Sequence, residues 1–145
     1  MKALIQRVSS ARVEVAGEVV GDIGLGLLVL LGLDKGDDHA AAQRMLDKLL
    51  AYRVFADEQG KMNSSVTDVS GGVLLISQFT LSADTRKGLR PSFSSAMPPA
   101  EAQLLYDAML QALVERHTEV ASGQFGADMQ VSMTNDGPVT FMLEV

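Results

Sequence analysis

Gly26-Leu27-Leu28-Val29-Leu30-Leu31-Gly32 is a run of five consecutive aliphatic residues closed at each end by glycine. No polar residue interrupts it, so neither side of the segment is set up to meet water. It reads as a short β-strand buried on both faces.

The flanking sequence supplies the rest of the sheet. Met1 to Val8 is a mixed apolar segment with strand character, and Arg12-Val13-Glu14-Val15 alternates as a strand with one wet face does. Ala16-Gly17-Glu18 is a turn and Val19 to Ile23 resumes as a strand, which predicts a hairpin. Downstream, Asp37-Asp38 supplies acidic helix-start residues. Ala42, Met45, Leu46, Leu49 and Leu50 then follow at helical spacing and predict an amphipathic helix ending near Tyr52 or Arg53. Val54-Phe55 is expected to return to the sheet, and Asp57-Glu58-Gln59-Gly60 is a turn in the polar stretch from Ala56 to Ser70. Gly71-Gly72 breaks the chain before a second buried strand, Val73-Leu74-Leu75-Ile76.

Ser82 to Ser95 lacks periodicity and is expected to be a long loop. Pro98-Pro99 opens a second helix with Leu105, Ala108, Met109, Ala112 and Leu113 as its apolar stripe. Two alternating strands end the chain, Met129 to Met133 and Val139 to Val145, with Thr134 to Pro138 as a turn between them. This order predicts one domain over residues 1–145. Its class is α/β (α+β-like), with a mixed, largely antiparallel sheet and two main helices.

Composition narrows the function. The chain has 145 residues, 47% hydrophobic and 21% charged, an ordinary globular balance. It has no cysteine, which excludes disulfides, thiolate metal sites and a cysteine nucleophile. Gln6 and Arg7 interrupt the apolar N-terminus, so no signal peptide is expected, and Ile23 to Leu33 is too short to cross a bilayer. A cytoplasmic protein with no membrane partner is expected. The net charge of −6 argues against a non-specific nucleic-acid binder but leaves room for a local basic patch.

Familiar catalytic machinery is missing. His39 and His117 lie at opposite helix ends, His39 as a solvated residue and His117 as a partner for the last helical carbonyls. There is no HExxH and no Cys/His cluster, so neither a metal nor another cofactor is expected. Gly24 to Val29 fails the dinucleotide pattern and precedes a strand. A hydrolase built from this chain must take a substrate that carries its own activation, with positioning and backbone dipoles as the protein's contribution.

Two segments stand out. Ser77-Gln78-Phe79-Thr80-Leu81 follows a buried strand, where backbone N–H groups become free to meet a ligand. By simple alternation Phe79 and Leu81 face inward and Thr80 is a half-exposed strand residue. Asn135-Asp136-Gly137-Pro138-Val139-Thr140 reads alone as a Gly-Pro turn. In their order and spacing the two segments resemble the D-aminoacyl-tRNA deacylase family, and the likeness extends over essentially the whole chain.

The resemblance implies a barrel-like sheet and a homodimer with two active sites at the subunit interface. It implies hydrolysis of D-aminoacyl-tRNA, and of glycine on a non-cognate tRNA, as chiral proofreading. Ser77, Gln78, Phe79 and Thr80 would form the catalytic pocket of one subunit. Gly137, Pro138, Val139 and Thr140 of the other would bind substrate, with a cis Gly137-Pro138 peptide rejecting L-amino acids. Arg7 would brace that unit, and Arg86, Lys87 and Arg90 would meet acceptor-stem phosphates. Two other functions stay open on the residues alone: an esterase with Thr80 as nucleophile, and a non-catalytic RNA- or protein-binding module.

Overall fold

Alternating and continuous apolar runs become, in the computed structural model of residues 1–145, the elements β1 (Lys2–Val15), β2 (Glu18–Ile23), β3 (Gly26–Gly32), α1 (His39–Ala51), β4 (Phe55–Ala56), β5 (Met62–Ser64), β6 (Gly72–Ser77), α2 (Pro99–Arg116), β7 (Val120–Ser122) and β8 (Gln130–Glu144). The organising strand is β1. Its N-terminal half pairs with β3 and its C-terminal half with β2, while β8 runs antiparallel along nearly its full length. β3 pairs with β6 and β6 with β7, both in parallel. The sheet is therefore mixed and mainly antiparallel, as expected.

Because β2 and β3 share β1, β2 is carried back over β6 and β7, and the sheet curls until it is nearly a closed barrel. Glycine permits that closure. A Cβ on Gly21 would stand 2.6 Å from the Ser122 carbonyl oxygen of β7 and 3.1 Å from Leu74. Val8, Ala11, Val13, Ile23, Leu28, Leu74 and Ile76 fill the interior. The opposite face of the sheet packs on α1 and α2 through Leu27, Val29, Leu31, Met45, Leu46, Leu49, Met109 and Leu113. β3 thus has apolar layers on both sides, which explains its unbroken aliphatic run.

Both predicted helices form. Asp38 caps α1 by accepting from the Ala41 N–H at 2.8 Å, and Pro99 occupies the first turn of α2. Two expectations need correction, and two features go beyond the sequence. Met1–Val8 and Arg12–Val15 are parts of one strand. Thr134 to Pro138 does not reverse the chain, since the segments on either side of it pair with that same strand and form one strand themselves. Val54-Phe55 misses the main sheet, because Phe55–Ala56 pairs instead with Met62–Ser64 across the Asp57 turn. β7 has no counterpart in the sequence reading; its three residues are too few to display a period.

Gly21→Ala is expected to lower the unfolding free energy by about 1–3 kcal/mol, the usual cost of forcing atoms into a closed core. Gly24→Ala, with nothing within 4 Å of the added carbon, should change little. Urea denaturation of both variants checks the pair.

Candidate active site

Strand β6 ends where the Gln78 N–H donates to the Leu31 carbonyl at 2.7 Å. The chain then tightens into a single 3-10 turn over Phe79–Ser82, with Leu81 N–H to Gln78 O at 3.2 Å and Ala83 N–H to Thr80 O at 3.2 Å. Ser82 anchors the turn. It is fully buried and its hydroxyl donates to the Leu33 carbonyl at 3.2 Å. Strand alternation is thereby lost, and Phe79, expected inward, is 61% exposed. Leu81 is half-buried against Gly32, and Thr80 is exposed.

The turn leaves two donors unclaimed. Its i to i−3 bonds begin at Leu81, so the N–H groups of Phe79 and Thr80 precede them, as the first donors of any helical segment do. The Thr80 hydroxyl accepts from the Gln78 side-chain amide. An amide cannot take a proton from a hydroxyl, so Thr80 has no activating base among its partners.

A cavity of about 730 Å³ opens beside this turn. Ile76, Ser77, Gln78 and Phe79 line one side, Phe93, Met97 and Pro98 another, and Phe125, Met129 and Val131 a third. The Phe79 and Phe93 rings are 5.0 Å apart and tilted by 53°. The volume suits a small organic ligand, and the lining favours a flat apolar group. Lys35 is the only charged residue in the lining. Of these lining residues the sequence points to Ser77, Gln78 and Phe79 but not to Lys35, Phe93 or Phe125, which lie on separate loops and meet only in the fold.

The second motif is a bulge. Between Gln6 and Val8 of β1 the chain advances two residues while β8 advances five, from Thr140 to Asn135. The surplus residues stand out opposite Arg7. Asn135 ties the base of the loop, its Oδ1 accepting from the Val139 N–H at 2.6 Å and its Nδ2 donating to Thr140 Oγ1 at 2.9 Å. Arg7 spans the loop: its Nε donates to the Asp136 carbonyl at 2.9 Å and its Nη1 to the Val54 carbonyl at 2.7 Å. The Gly137-Pro138 peptide is cis, and Gly137 has φ +141°, a region that favours glycine. Gly137 and Pro138 are exposed, and neither lines the cavity beside Phe79. One chain thus brings Arg7 to the Asn135–Thr140 motif, but it does not bring that motif to Ser77–Thr80.

Comparison with known proteins decides the family. A family model described as D-Tyr-tRNA(Tyr) deacylase matches residues 4–144. The D-aminoacyl-tRNA deacylase of Ectopseudomonas mendocina (strain ymp) is 65% identical over 145 residues, covering 100% of both chains. That of Pseudomonas aeruginosa (strain LESB58) is 60% identical over 144 residues, 99% of each. This chain belongs to the D-Tyr-tRNA(Tyr) deacylase family. A deacylase is a hydrolase, and membership makes this chain one.

Solved structures share the fold. The c-Myc DNA Unwinding Element Binding Protein superposes with a TM-score of 0.96 at 43% identity, covering 100% of this chain and 99% of that one. A probable eukaryotic D-amino acid tRNA deacylase gives 0.84 at 18% identity over 99% and 98%, a likeness of fold.

In this family member the long loop is also braced. Asp84 and Ser92 exchange backbone hydrogen bonds at 2.8 and 3.1 Å, and the Arg86 fork grips the Asp84 carboxylate at 2.9 and 2.7 Å. The hydrogen bonds from Arg86 hold the Asp84 carboxyl far below the usual carboxylate range. A depressed carboxyl keeps its stabilising contact above its unfolded pKa and loses it only as pH falls through the lower folded value. The brace is therefore intact at neutral pH. Arg86 is spent on Asp84, whereas Lys87 and Arg90 are exposed and carry no ion pair.

No titratable side chain other than Lys35 lines the cavity. The His117 ring shares a hydrogen bond with the Gly71 carbonyl at 2.7 Å, so it reaches a neighbouring loop and not the last carbonyls of its own helix. Burial raises the Tyr106 phenol, whose hydroxyl donates to the Leu75 carbonyl at 2.9 Å. No group of three or more His, Asp or Glu is placed to hold a metal ion, and no helix is long and apolar enough to cross a membrane.

Arg7→Lys keeps the charge but loses the planar fork, so it cannot serve both carbonyls. It should cost about 1.5–3 kcal/mol, the range for a hydrogen bond to a charged group. Hydrogen exchange should quicken at residues 136–139; unchanged exchange there would show that Arg7 does not hold the bulge.

Proposed function

We propose that this chain, as one domain over residues 1–145 and as a homodimer in the cytoplasm, hydrolyses the ester between a D-amino acid and the terminal adenosine of tRNA. Each site is formed by Ser77 to Thr80 of one protomer and the Gly137-Pro138 loop of the other. The observation that carries this reading is an apolar cavity lined by Phe79, at the start of a turn whose Phe79 and Thr80 N–H groups are unclaimed, in a chain of the deacylase family.

The chemistry suits such a site. An aminoacyl ester is already an activated acyl group. Water adds to its carbonyl carbon, the bond to the ribose oxygen breaks, and the amino acid leaves as the free acid. In this reading the unclaimed Phe79 and Thr80 N–H groups receive the negative charge that develops on the carbonyl oxygen, the task for which preorganised donors are strongest. A neighbouring ribose hydroxyl assists in place of a protein side chain. The cavity takes the adenine, against Phe79 or Phe93, since base–aromatic stacking contributes about 1–3 kcal/mol. No cofactor is required.

Selection by configuration falls to the second protomer. Its exposed Gly137-Pro138 backbone forms a wall beside the substrate's α-carbon, and its carbonyls accept from the α-ammonium group. An L side chain would overlap the wall, whereas a D side chain points away. Repulsion at short range discriminates more steeply than a missing contact does. Glycine has no side chain to reject, so glycyl-tRNA is also cleaved. Val139 and Thr140 hold the loop's return.

Two features support the dimer. The two motifs do not share a cavity within one chain. β8 pairs only with β1, leaving the other edge of a 15-residue strand free, with Val131, Phe141 and Met142 exposed on it. Lys87 and Arg90 at the tip of the braced loop are the cations available to acceptor-stem phosphates, with Arg86 shaping the loop that presents them.

The purified protein should deacylate D-Tyr-tRNA and glycyl-tRNA and spare L-Tyr-tRNA. A folded, dimeric protein that leaves the D-ester intact overturns the proposal. Thr80→Ala should retain activity within about tenfold. Removal of a true nucleophile costs on the order of 10⁶, and a loss of that size would make Thr80 the nucleophile instead.

A further inference from the structure

The one charge in the cavity has no partner in the protein. We propose that Lys35 binds the phosphate on the 5′ side of the terminal nucleoside, so that the site recognises a 5′-phosphorylated nucleoside ester and not the nucleoside ester alone. This rests on the deacylase reading above.

Three observations carry it. First, Lys35 is held at the cavity wall by backbone. Its N–H donates to the Ser95 carbonyl at 2.9 Å, and the adjacent Asp34 forms a β-bridge with Ala96. Second, the neighbouring carboxylates pair with groups other than Lys35, and only the buried Asp34 Oδ1 has no hydrogen-bond partner. Asp37 accepts from the N-terminal ammonium at 2.8 Å and from the Asp34 N–H at 2.7 Å. Asp34 lies 3.5 Å from the same ammonium and 3.6 Å from the Lys2 Nζ. Asp38 caps α1. The Lys35 ammonium is exposed and makes no salt bridge. Third, the lining holds one cation and no carboxylate. An apolar cavity with a single positive group at its wall complements a ligand with a flat apolar body and a single negative group. With adenine inside and the ester at Phe79, the group on the substrate that meets this description is the phosphodiester leading to the preceding nucleotide.

The test uses two small esters, adenosine and adenosine 5′-monophosphate, each carrying D-tyrosine on the 3′-hydroxyl. The wild-type dimer should prefer the phosphorylated ester in kcat/KM by about tenfold, the low end for one charge-assisted hydrogen bond, with the difference lying in KM. Lys35→Gln should bring the ratio close to one, and Lys35→Arg should keep it. Lys61→Gln, on the distant β4–β5 turn, should leave it as in the wild type. With full-length D-Tyr-tRNA, Lys35→Gln should reduce the slope of log KM against log salt by about 0.7, the value for one single-strand phosphate. A wild-type ratio near one, or a Lys35→Gln enzyme that keeps the preference, overturns the assignment while leaving the deacylase reading intact. Failure of the wild-type protein to cleave either small ester or D-Tyr-tRNA removes both.

Discussion

Strand β1 is paired with β8 along nearly its whole length, and the ladder breaks only between Gln6 and Ser10. That single interruption shapes the second half of the proposed site. A regular ladder would bury residues 136–139 in backbone pairing and leave no loop to project. The surplus residues are tolerated because Arg7, left without a β8 partner, uses its side chain where the ladder would have used main chain. Its two donors connect the Asp136 carbonyl to the Val54 carbonyl beyond the end of α1. The loop is thus fixed to the body of the protein, which an element acting as a rigid wall requires.

The first half of the proposed site depends on the same sheet from the other direction. Parallel pairing with β3 carries β6 as far as Ser77, and the Gln78–Leu31 hydrogen bond ends it. Burial of Ser82 then forces the turn that frees the Phe79 and Thr80 amides. Backbone donors need no proton transfer to become active and do not titrate, so this arrangement works without a histidine. A site of this kind would be restricted to acyl groups that are already reactive. A site with this chemistry would be a poor peptidase, since amide hydrolysis requires protonation of the leaving nitrogen.

Much of the fold was legible in the residues. The glycine-bounded run of β3, the hairpin of β1 and β2 and both helices follow from periodicity and capping, because each is a local property. What failed was non-local. Nothing in Asn135 to Thr140 says that the chain continues in the same strand on both sides, since a bulge and a turn share the same residue types and differ only in the partner strand. The Phe79 turn was misread because the constraint on it is the buried hydroxyl of Ser82 reaching Leu33, 49 residues away. Lys35 went unnoticed for a related reason: its significance lies in the occupation of Asp34, Asp37 and Asp38 by other groups, which no pattern along the chain displays. The basic loop was legible as a loop, but only the structure separates Arg86, bound to Asp84, from Lys87 and Arg90.

The central claim is that neither protomer alone holds a complete stereochemical site. Subunit complementation tests it most directly, with Ala127→Trp, at a residue that lines the cavity between Phe125 and Met129, to fill it and Gly137→Val to spoil the loop. Each variant alone should be inactive on D-Tyr-tRNA. After unfolding and refolding together in equal amounts, half of the dimers are hybrids, and each hybrid regains one intact site of its two. Activity should recover to about a quarter of the wild-type level, as random assembly of a two-fold dimer dictates. Mixtures that form hybrids and stay inactive would contradict the account.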